Sequence, residues 1–354
     1  MTALDETRWL SGSVVPLNQR YDVALLDLDG VVYLIGEPID GAPEAIEELR
    51  RRNVAPMFVT NNASRSAQDV AELLTRRGVP AAADEVLTSA QAAARILADR
   101  LPADSTVMVV GSAALAAEVH AAGLKPVWPA ESTAVSAVVQ GFGPAVGWEQ
   151  LSEAAIAVRE GALWVATNPD KTMPSLRGEL PGNGTLVAAV ATAAGREPDE
   201  IAGKPSPVMF RQAADRHPGS EPIVVGDRWD TDIAGARAAD LPGLLVLSGS
   251  MDAAKTLRIP PEGRPRYMAW TVAGLTDPHP EVRVEAGAVE CRDWRATADR
   301  DVVTLSGNGD PMDALRALAE CSWQWIDATG GPVPPVRAES TSAAQALDVL
   351  ELTD

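Results

Sequence analysis

Several residue types are scarce in this sequence, and each scarcity narrows the field. There are two cysteines, Cys291 and Cys321, in 354 residues. Two cysteines build no disulfide framework and show no metal-ligand spacing, so a reduced, cytoplasmic chain is expected. Histidine is nearly as rare. His120, His217 and His279 lie far apart, without partner spacing, and read as surface residues rather than ligands. Lysine occurs four times (Lys125, Lys171, Lys204, Lys255), and 30 basic against 49 acidic side chains leave a formal charge of −19. That balance argues against nucleic acid, whose phosphate backbone is bound mainly by neutralising it. It leaves room for a small phosphorylated ligand, since a bound divalent cation reverses the local field. No apolar run approaches the ~20 residues that cross a bilayer, so no membrane span is expected. The first residues, "MTALDETRWLSGSVVPL", carry early acids and no apolar core of signal-peptide length.

What is present is an alanine-rich apolar fraction of 46%, enough for sizeable cores, in a length that suggests two or three domains of ~150 residues. Short apolar runs alternate with helical patterns. "VALLDLD" leads to "PEAIEELRRRN", where Pro43 suits a first helical turn and Ile46 and Leu49 repeat at helical spacing. "VAPMFVT" leads to "SAQDVAELLTRRG", with Ser66 and Asp69 at capping-box spacing and Gly78 as a stop. A second α/β pattern follows: "STVMVVG", a helix over 113–122, "AVSAVVQGFG", a helix over 148–159, and "ALWVATNPD". Then come "PGNGTLVAAVATAAG", a loop entering a helix, and the strand "PIVVGDRWDTD", which opens "DIAGARAADLPG" before the buried run "LLVLSG". The pattern predicts a Rossmann-like parallel sheet, in which ligands collect at the carboxyl ends of the strands.

From 276 onward the chain changes character. Fifteen acidic and six basic side chains give this stretch a net −9, about half of the whole excess. Strand-like "EVRVEAGAVECRDW" and "RDVVTLSG" precede the helix-like "PMDALRALAECSWQWIDA", and "GGPVPPVRAESTSAAQ" begins as a flexible tail. A small α+β module is expected there. The Trp323/Trp325 pair reads as packing, and Cys321, with no histidine near it in sequence, is not read as a nucleophile.

Four pieces carry chemistry: Asp27-Leu28-Asp29-Gly30, Thr60-Asn61-Asn62, Gly203-Lys204-Pro205 and "GDRWDTD" from Gly226 to Asp232. Singly, each has a plain alternative as a turn, a loop or an acid-rich helix start. Three of them follow apolar strands, so a parallel sheet would gather carboxylates, a hydroxyl and loop amides at one edge. Crowded carboxylates repel and call for a cation. Oxygen-only ligands specify a hard one such as Mg²⁺, and the added lysine and loop amides describe a phosphate cradle.

This combination resembles the haloacid dehalogenase superfamily of aspartate-nucleophile phosphatases over about 20–275. The finer pattern of "LLDLDGVVY", "FVTNNASRS", "ATNPD", "GKPSP" and "GDRWDTDI" is similar to its subfamily IIA, and the whole chain to that subfamily's actinobacterial glycerol-3-phosphate phosphatases. The resemblance implies a Mg²⁺-dependent phosphomonoesterase. Asp27 would be the nucleophile. Asp29 would be the general acid and then base, in surroundings that favour its neutral form more than those of Asp27 do. Lys204 would neutralise charge on the nucleophile and the phosphoryl group. Mg²⁺ would be held by Asp27, the carbonyl of Asp29, and Asp227, with Asp232 beside them. Gly30, Thr60 and the amides of Asn61 and Asn62 would bind the phosphoryl group. The resemblance further implies a core over 1–102 and 181–275, an inserted α/β cap over 103–180 and the module over 276–354. The cap loop "TNPDKTMPSLRG" would read the rest of the substrate through Asn168, Asp170, Lys171 and Arg177, or these residues simply solvate a turn. Glycerol 3-phosphate is the favoured substrate, ahead of 2-phosphoglycolate and other sugar or alcohol phosphates. A homodimer is compatible with similar proteins. Phosphoryl transfer to another acceptor, as in related mutases, and a phospho-acceptor signalling domain are the rival functions. The C-terminal module resembles part of the acetyl-CoA-dependent N-acetyltransferase fold, but it lacks that fold's R/Q-x-x-G-x-G/A pyrophosphate loop. A structural or docking role is therefore expected of it.

Overall fold

The computed structural model describes residues 9–129, 134–173, 175, 177–285, 287–299 and 301–353. The chain divides into two compact units, one of Met1–Leu34, Pro38–Pro56 and Gly219–Asp354, the other of Ile35–Glu37 and Met57–Pro218.

In the first unit the apolar run Val23–Leu26 is a fully buried strand. It pairs in parallel with Pro222–Gly226, which pairs with Gly243–Val246, which pairs with Tyr267–Ala269. Strands this short and uniformly apolar are buried on both faces, as helix-covered parallel sheets require. Helix Ala42–Arg51 starts with Pro43 in its first turn and buries Ile46 and Leu49, as its spacing predicts.

The C-terminal part of this unit is an antiparallel ribbon of Val282–Glu285, Ala288–Cys291, Trp294–Asp299 and Val302–Ser306. Val336–Ala338 adds to it in parallel, and helix Pro311–Thr329 lies against it. Two features differ from expectation. "WRATAD" is a strand although its polar residues dilute the apolar alternation, and the proline-rich tail leads into the strand Val336–Ala338 and helix Thr341–Val349. His279 also departs from the surface role expected of it. It is 5% exposed, its Nε2 lies 2.9 Å from the Gly274 carbonyl, and its ring packs edge-on against Tyr267.

Strand Ala55–Thr60 carries the chain into the second unit, where its residues from Phe58 pair in parallel with Val86–Thr88. Helix Ala67–Arg76 begins with the capping box that Ser66 and Asp69 predict. A separate five-stranded parallel sheet runs in the order Glu200–Ile201, Leu163–Ala166, Ala137–Gln140, Thr106–Val110, Lys125–Val127. Helices Trp148–Arg159 and Asn183–Ala194 pack together over one buried cluster that includes Trp164. The sheet takes its edge strand, and one of its covering helices, from beyond the boundary expected at 180. The physical reason is that the apolar face of 183–194 has its partners, Ala154, Val158 and Trp164, in this cluster. Among the described residues no helix is long and apolar enough to cross a membrane.

Candidate active site

The strand Val23–Leu26 stops one residue before Asp27, whose N–H still donates to the Val225 carbonyl at 2.9 Å. The ladder thus anchors the Asp27 backbone on the neighbouring strand. The chain then turns sharply. The Leu28 carbonyl accepts from Val32 (2.9 Å) and Tyr33 (3.1 Å), and Gly30, at φ +83°, donates to Tyr33 (2.7 Å). This turn, rather than strand alternation, relates Asp29 to Asp27. Asp29 is exposed and Asp27 half-buried.

Asp227 follows the adjacent parallel strand Pro222–Gly226 directly, so parallel pairing sets it beside Asp27. Asp232 lies on the turn Trp229–Ile233 and accepts from the Arg228 N–H at 3.1 Å. Carboxylate oxygens of Asp27, Asp227 and Asp232 lie within 4.8 Å of one another. Asp227 and Asp232 are only 4% and 1% exposed. The set of three does not include the Asp29 carboxylate.

The packing shows how the carboxylates are seated. A Cβ on Gly226 would sit 2.1 Å from that of Asp232; one on Gly30 would sit 2.4 Å from the Asp227 carboxyl; one on Gly249 would sit 2.1 Å from Asp227 Oδ2. Three glycines therefore leave a cradle that only bare backbone allows. Ser250 closes it, donating its N–H (2.6 Å) and hydroxyl (2.9 Å) to Asp227 Oδ2, while Ser248 donates to the Gly30 carbonyl at 2.6 Å. Three converging carboxylates in so little solvent suit a hard divalent cation. The all-oxygen donor set fits Mg²⁺.

The second unit holds the other predicted residues around Asn61. Its Oδ1 accepts from the Lys204 N–H (2.8 Å), and its Nδ2 donates to the Lys204 carbonyl (3.1 Å) and to Asp170 Oδ2 (3.0 Å). Its carbonyl accepts from Asn168 Nδ2 (2.7 Å) and the Ser89 hydroxyl (2.6 Å). Gly203 is obligatory here, because a Cβ would meet Asn61 Oδ1 at 2.6 Å. One asparagine thus ties together the "TNN", "TNPD" and "GKP" pieces. Lys204 is 3% exposed and donates Nζ to the Val59 carbonyl at 3.3 Å. Thr60 is buried and its Oγ1 accepts from the Asn62 N–H at 3.1 Å. Asn62 is exposed and its Oδ1 takes the Ser64 N–H and hydroxyl.

The loop residues separate into two kinds. Asn168 is buried and holds the Asp170 N–H at 3.2 Å, so both belong to the Asn61 network. Lys171 and Arg177 are exposed and stand outside it. Asn183 donates to the Asn168 carbonyl at 2.9 Å, and Gly182 and Gly184 allow its helix to close on the loop, since a Cβ on Gly184 would meet the Pro169 carbonyl at 2.1 Å. Sequence reading missed Ser89, Asn183, Ser248, Gly249 and Ser250. Of these, Asn183 lies in the "PGNG" run, which reads as a loop entering a helix.

Known proteins resemble this chain in sequence and in fold. The model of haloacid dehalogenase-like hydrolases matches residues 24–125 and that of HAD-hydrolase-like domains matches 201–275. A GCN5-related N-acetyltransferase like domain matches 291–352. D-glycerol 3-phosphate phosphatase of Mycobacterium tuberculosis is 43% identical over 315 residues, covering 86% of this chain and 87% of that protein. The crystal structure of glycerol phosphate phosphatase from Mycobacterium tuberculosis in complex with magnesium superposes with a TM-score of 0.87 at 40% identity, covering 96% of this chain and 100% of that one. The p-nitrophenyl phosphatase from Archaeoglobus fulgidus gives a TM-score of 0.67 at 30% identity, over 72% of this chain and 98% of its own. The chain belongs to the haloacid dehalogenase-like hydrolases, among their phosphatases.

Proposed function

We propose that the chain hydrolyses phosphate monoesters of small polyols, with glycerol 3-phosphate as its substrate, through an aspartyl phosphate on Asp27. The observation that carries the reading is the meeting of Asp27, Asp227 and Asp232 within 4.8 Å, the first two directly after neighbouring parallel strands and the third on the turn that follows. The relative sharing 43% identity bears that substrate's name.

Asp27, fixed by its ladder bond, attacks phosphorus in line with the leaving alkoxide. Asp29, exposed on the turn after it, gives a proton to the leaving oxygen and later takes one from the attacking water. Lys204 and the Thr60 hydroxyl, with the amides after it, offset charge on the phosphoryl oxygens. Asp27, Asp227 and the Asp29 carbonyl would hold Mg²⁺, with Asp232 beside them. When bound, the ion supplies charge neutralisation for the carboxylates and the phosphate. Residues of the five-stranded sheet, from about 103 to 202, act as the cap, with Asn168 and Asp170 on the loop that meets the substrate's alcohol portion. The reading includes a cytoplasmic location and a homodimer, the latter checked by sedimentation.

A panel of phosphomonoesters tests this by kcat/KM, before and after chelation and with Mg²⁺ restored. Glycerol 3-phosphate should lead, with 2-phosphoglycolate behind it, and chelation should abolish turnover reversibly. Equal activity without divalent cation, or a flat panel, would count against it. A stable phosphoenzyme without turnover would favour the signalling alternative.

A further inference from the structure

We infer that the acetyltransferase-like C-terminal module is a positioning element of the phosphatase site, and that Trp323 is its point of attachment to the carboxylate set. The inference rests on the reading of Asp27, Asp227 and Asp232 as a Mg²⁺ site.

The module shares its core with the phosphatase fold. A single buried apolar cluster takes Ile233, Met251 and Leu257 from the parallel-sheet region and Trp294, Leu315 and Trp323 from the module. Two of these adjoin the site in sequence: Ile233 follows Asp232, and Met251 follows Ser250. Burial alone would make the module a stabilising block. The hydrogen bonds are more specific.

A chain of them runs from the long helix to Asp227. Trp323 Nε1 donates to the Thr256 carbonyl at 3.0 Å. The Thr256 hydroxyl donates to the Asp252 carbonyl at 2.7 Å, and Asp252 Oδ1 accepts from the Lys255 N–H at 2.7 Å. Lys255 Nζ then donates to the Ser250 carbonyl at 2.7 Å. Ser250 in turn grips Asp227 Oδ2 through two donors. The same helix fixes the neighbouring backbone at two more points. Arg264, 1% exposed, joins the Ile259 carbonyl (3.1 Å) to the Asp327 carboxylate (2.8 Å), and Arg316 donates to the Met268 carbonyl at 2.5 Å. The segment 250–257 is thus held from behind by the module while its first residue presents donors to a metal-binding carboxylate. Partners of this outer kind set how well a carboxylate is aligned before the cation arrives.

The loop of the module where a pyrophosphate-binding loop would lie, in contrast, is occupied by packing. In "LSGNGDP", a Cβ on Gly307 would meet the Asp293 carbonyl at 2.0 Å, and Trp294 Nε1 donates to the Asp310 carbonyl at 2.9 Å.

The test uses the full chain and Mg²⁺ itself, titrated into metal-stripped protein by calorimetry without substrate. Trp323→Phe keeps most of the ring and removes the N–H donor. It should weaken Mg²⁺ binding by roughly three- to tenfold, below the ~10–100-fold typical when a direct outer partner is lost, and leave kcat at saturating Mg²⁺ near that of the parent. Trp294→Phe is the control, since it deletes an equivalent bond wholly inside the module. It should lower Tm by a similar amount and leave Mg²⁺ affinity unchanged. Parent-like Mg²⁺ affinity in Trp323→Phe, or equal weakening in both variants, overturns the inference. No Mg²⁺ binding by the parent chain overturns the metal-site reading itself, and the inference with it.

Discussion

The glycine at 249 offers the sharpest test of the carboxylate cradle. In Gly249→Ala the new methyl would fall 2.1 Å from Asp227 Oδ2, 2.6 Å from its Cγ and 2.7 Å from the Gly30 Cα. Real Cβ contacts are essentially never under 3.0 Å, so something has to move. The Gly30 backbone blocks one direction, and Ser250 pins the same oxygen at 2.6 Å from another. The carboxylate must therefore shift by about 1 Å, a misplacement of the kind that costs about 10²-fold in rate, or about 2.7 kcal/mol in the barrier. Overpacking of this sort destabilises a fold by about 1–3 kcal/mol, a fall in Tm of several degrees, so the variant should remain folded. The assay is kcat/KM on glycerol 3-phosphate over a Mg²⁺ series, alongside circular dichroism and Tm. Gly331→Ala, whose methyl would meet nothing nearer than 3.4 Å, serves as the matched control and should be fully active. Gly249→Ala turning over within about fivefold of the parent would refute the argument, because Asp227 would then not need the position the glycine leaves for it.

Asp27→Asn should reduce turnover by roughly 10³-fold or more while Tm changes little, and quenched-flow trapping with labelled substrate should find no phosphoenzyme. Burial holds the His279 imidazole well below its ordinary range, at about 4. Its neutral form is the one the fold accepts, so its contribution to stability is complete above about 6.5 and is lost as pH falls from about 6.5 towards about 4. The loss is up to about 3 kcal/mol, and urea melts of His279→Gln against the parent should show that this slope has gone. Acetyl-CoA titrated into the full chain should give no binding heat, because the loop that would receive its pyrophosphate is packed on Trp294.

Much of the fold is legible in the sequence because its signals are local. The runs "VALL" and "PIVVG" are buried strands of the same parallel sheet, and their ends deliver Asp27 and Asp227 as the apolar pattern predicts. Ser66 and Asp69 form the capping box that their spacing announces. What stayed hidden depends on distant partners. Ser250 looks like any serine in a loop, and its contact with Asp227 comes from the turn after the next strand. Asn61 reads as one of two asparagines in a turn, although its amide links pieces more than a hundred residues apart. "WRATAD" lacks a clear alternation because its exposed face is polar, and it becomes a strand by pairing on both sides. His279 reads as a surface residue because the three histidines lie far apart without partner spacing. The carbonyl of Gly274 and the ring of Tyr267 give it an interior.

The charge of the chain creates a tension that ionic strength can resolve. The protein carries a formal −19, yet the proposed substrate is an anion. At the carboxylate set a divalent cation offsets two of the three negative charges, so the short-range field is mild. The remaining acidity is spread over the surface, half of it in the last 79 residues, and acts at longer range. Exposed charges are screened over about 8 Å at 0.15 M salt but reach about 30 Å at 0.01 M. At low salt the surface therefore repels the substrate before it arrives. At saturating Mg²⁺, kcat/KM for glycerol 3-phosphate should rise by about two- to threefold between 0.01 and 0.15 M salt, carried by KM, with kcat steady. A phosphomonoester whose alcohol part carries an ammonium group has a smaller net charge and should show less of this dependence. If kcat/KM instead falls as salt is added, attraction by a local basic field dominates, and the acidic surface has no part in governing substrate entry.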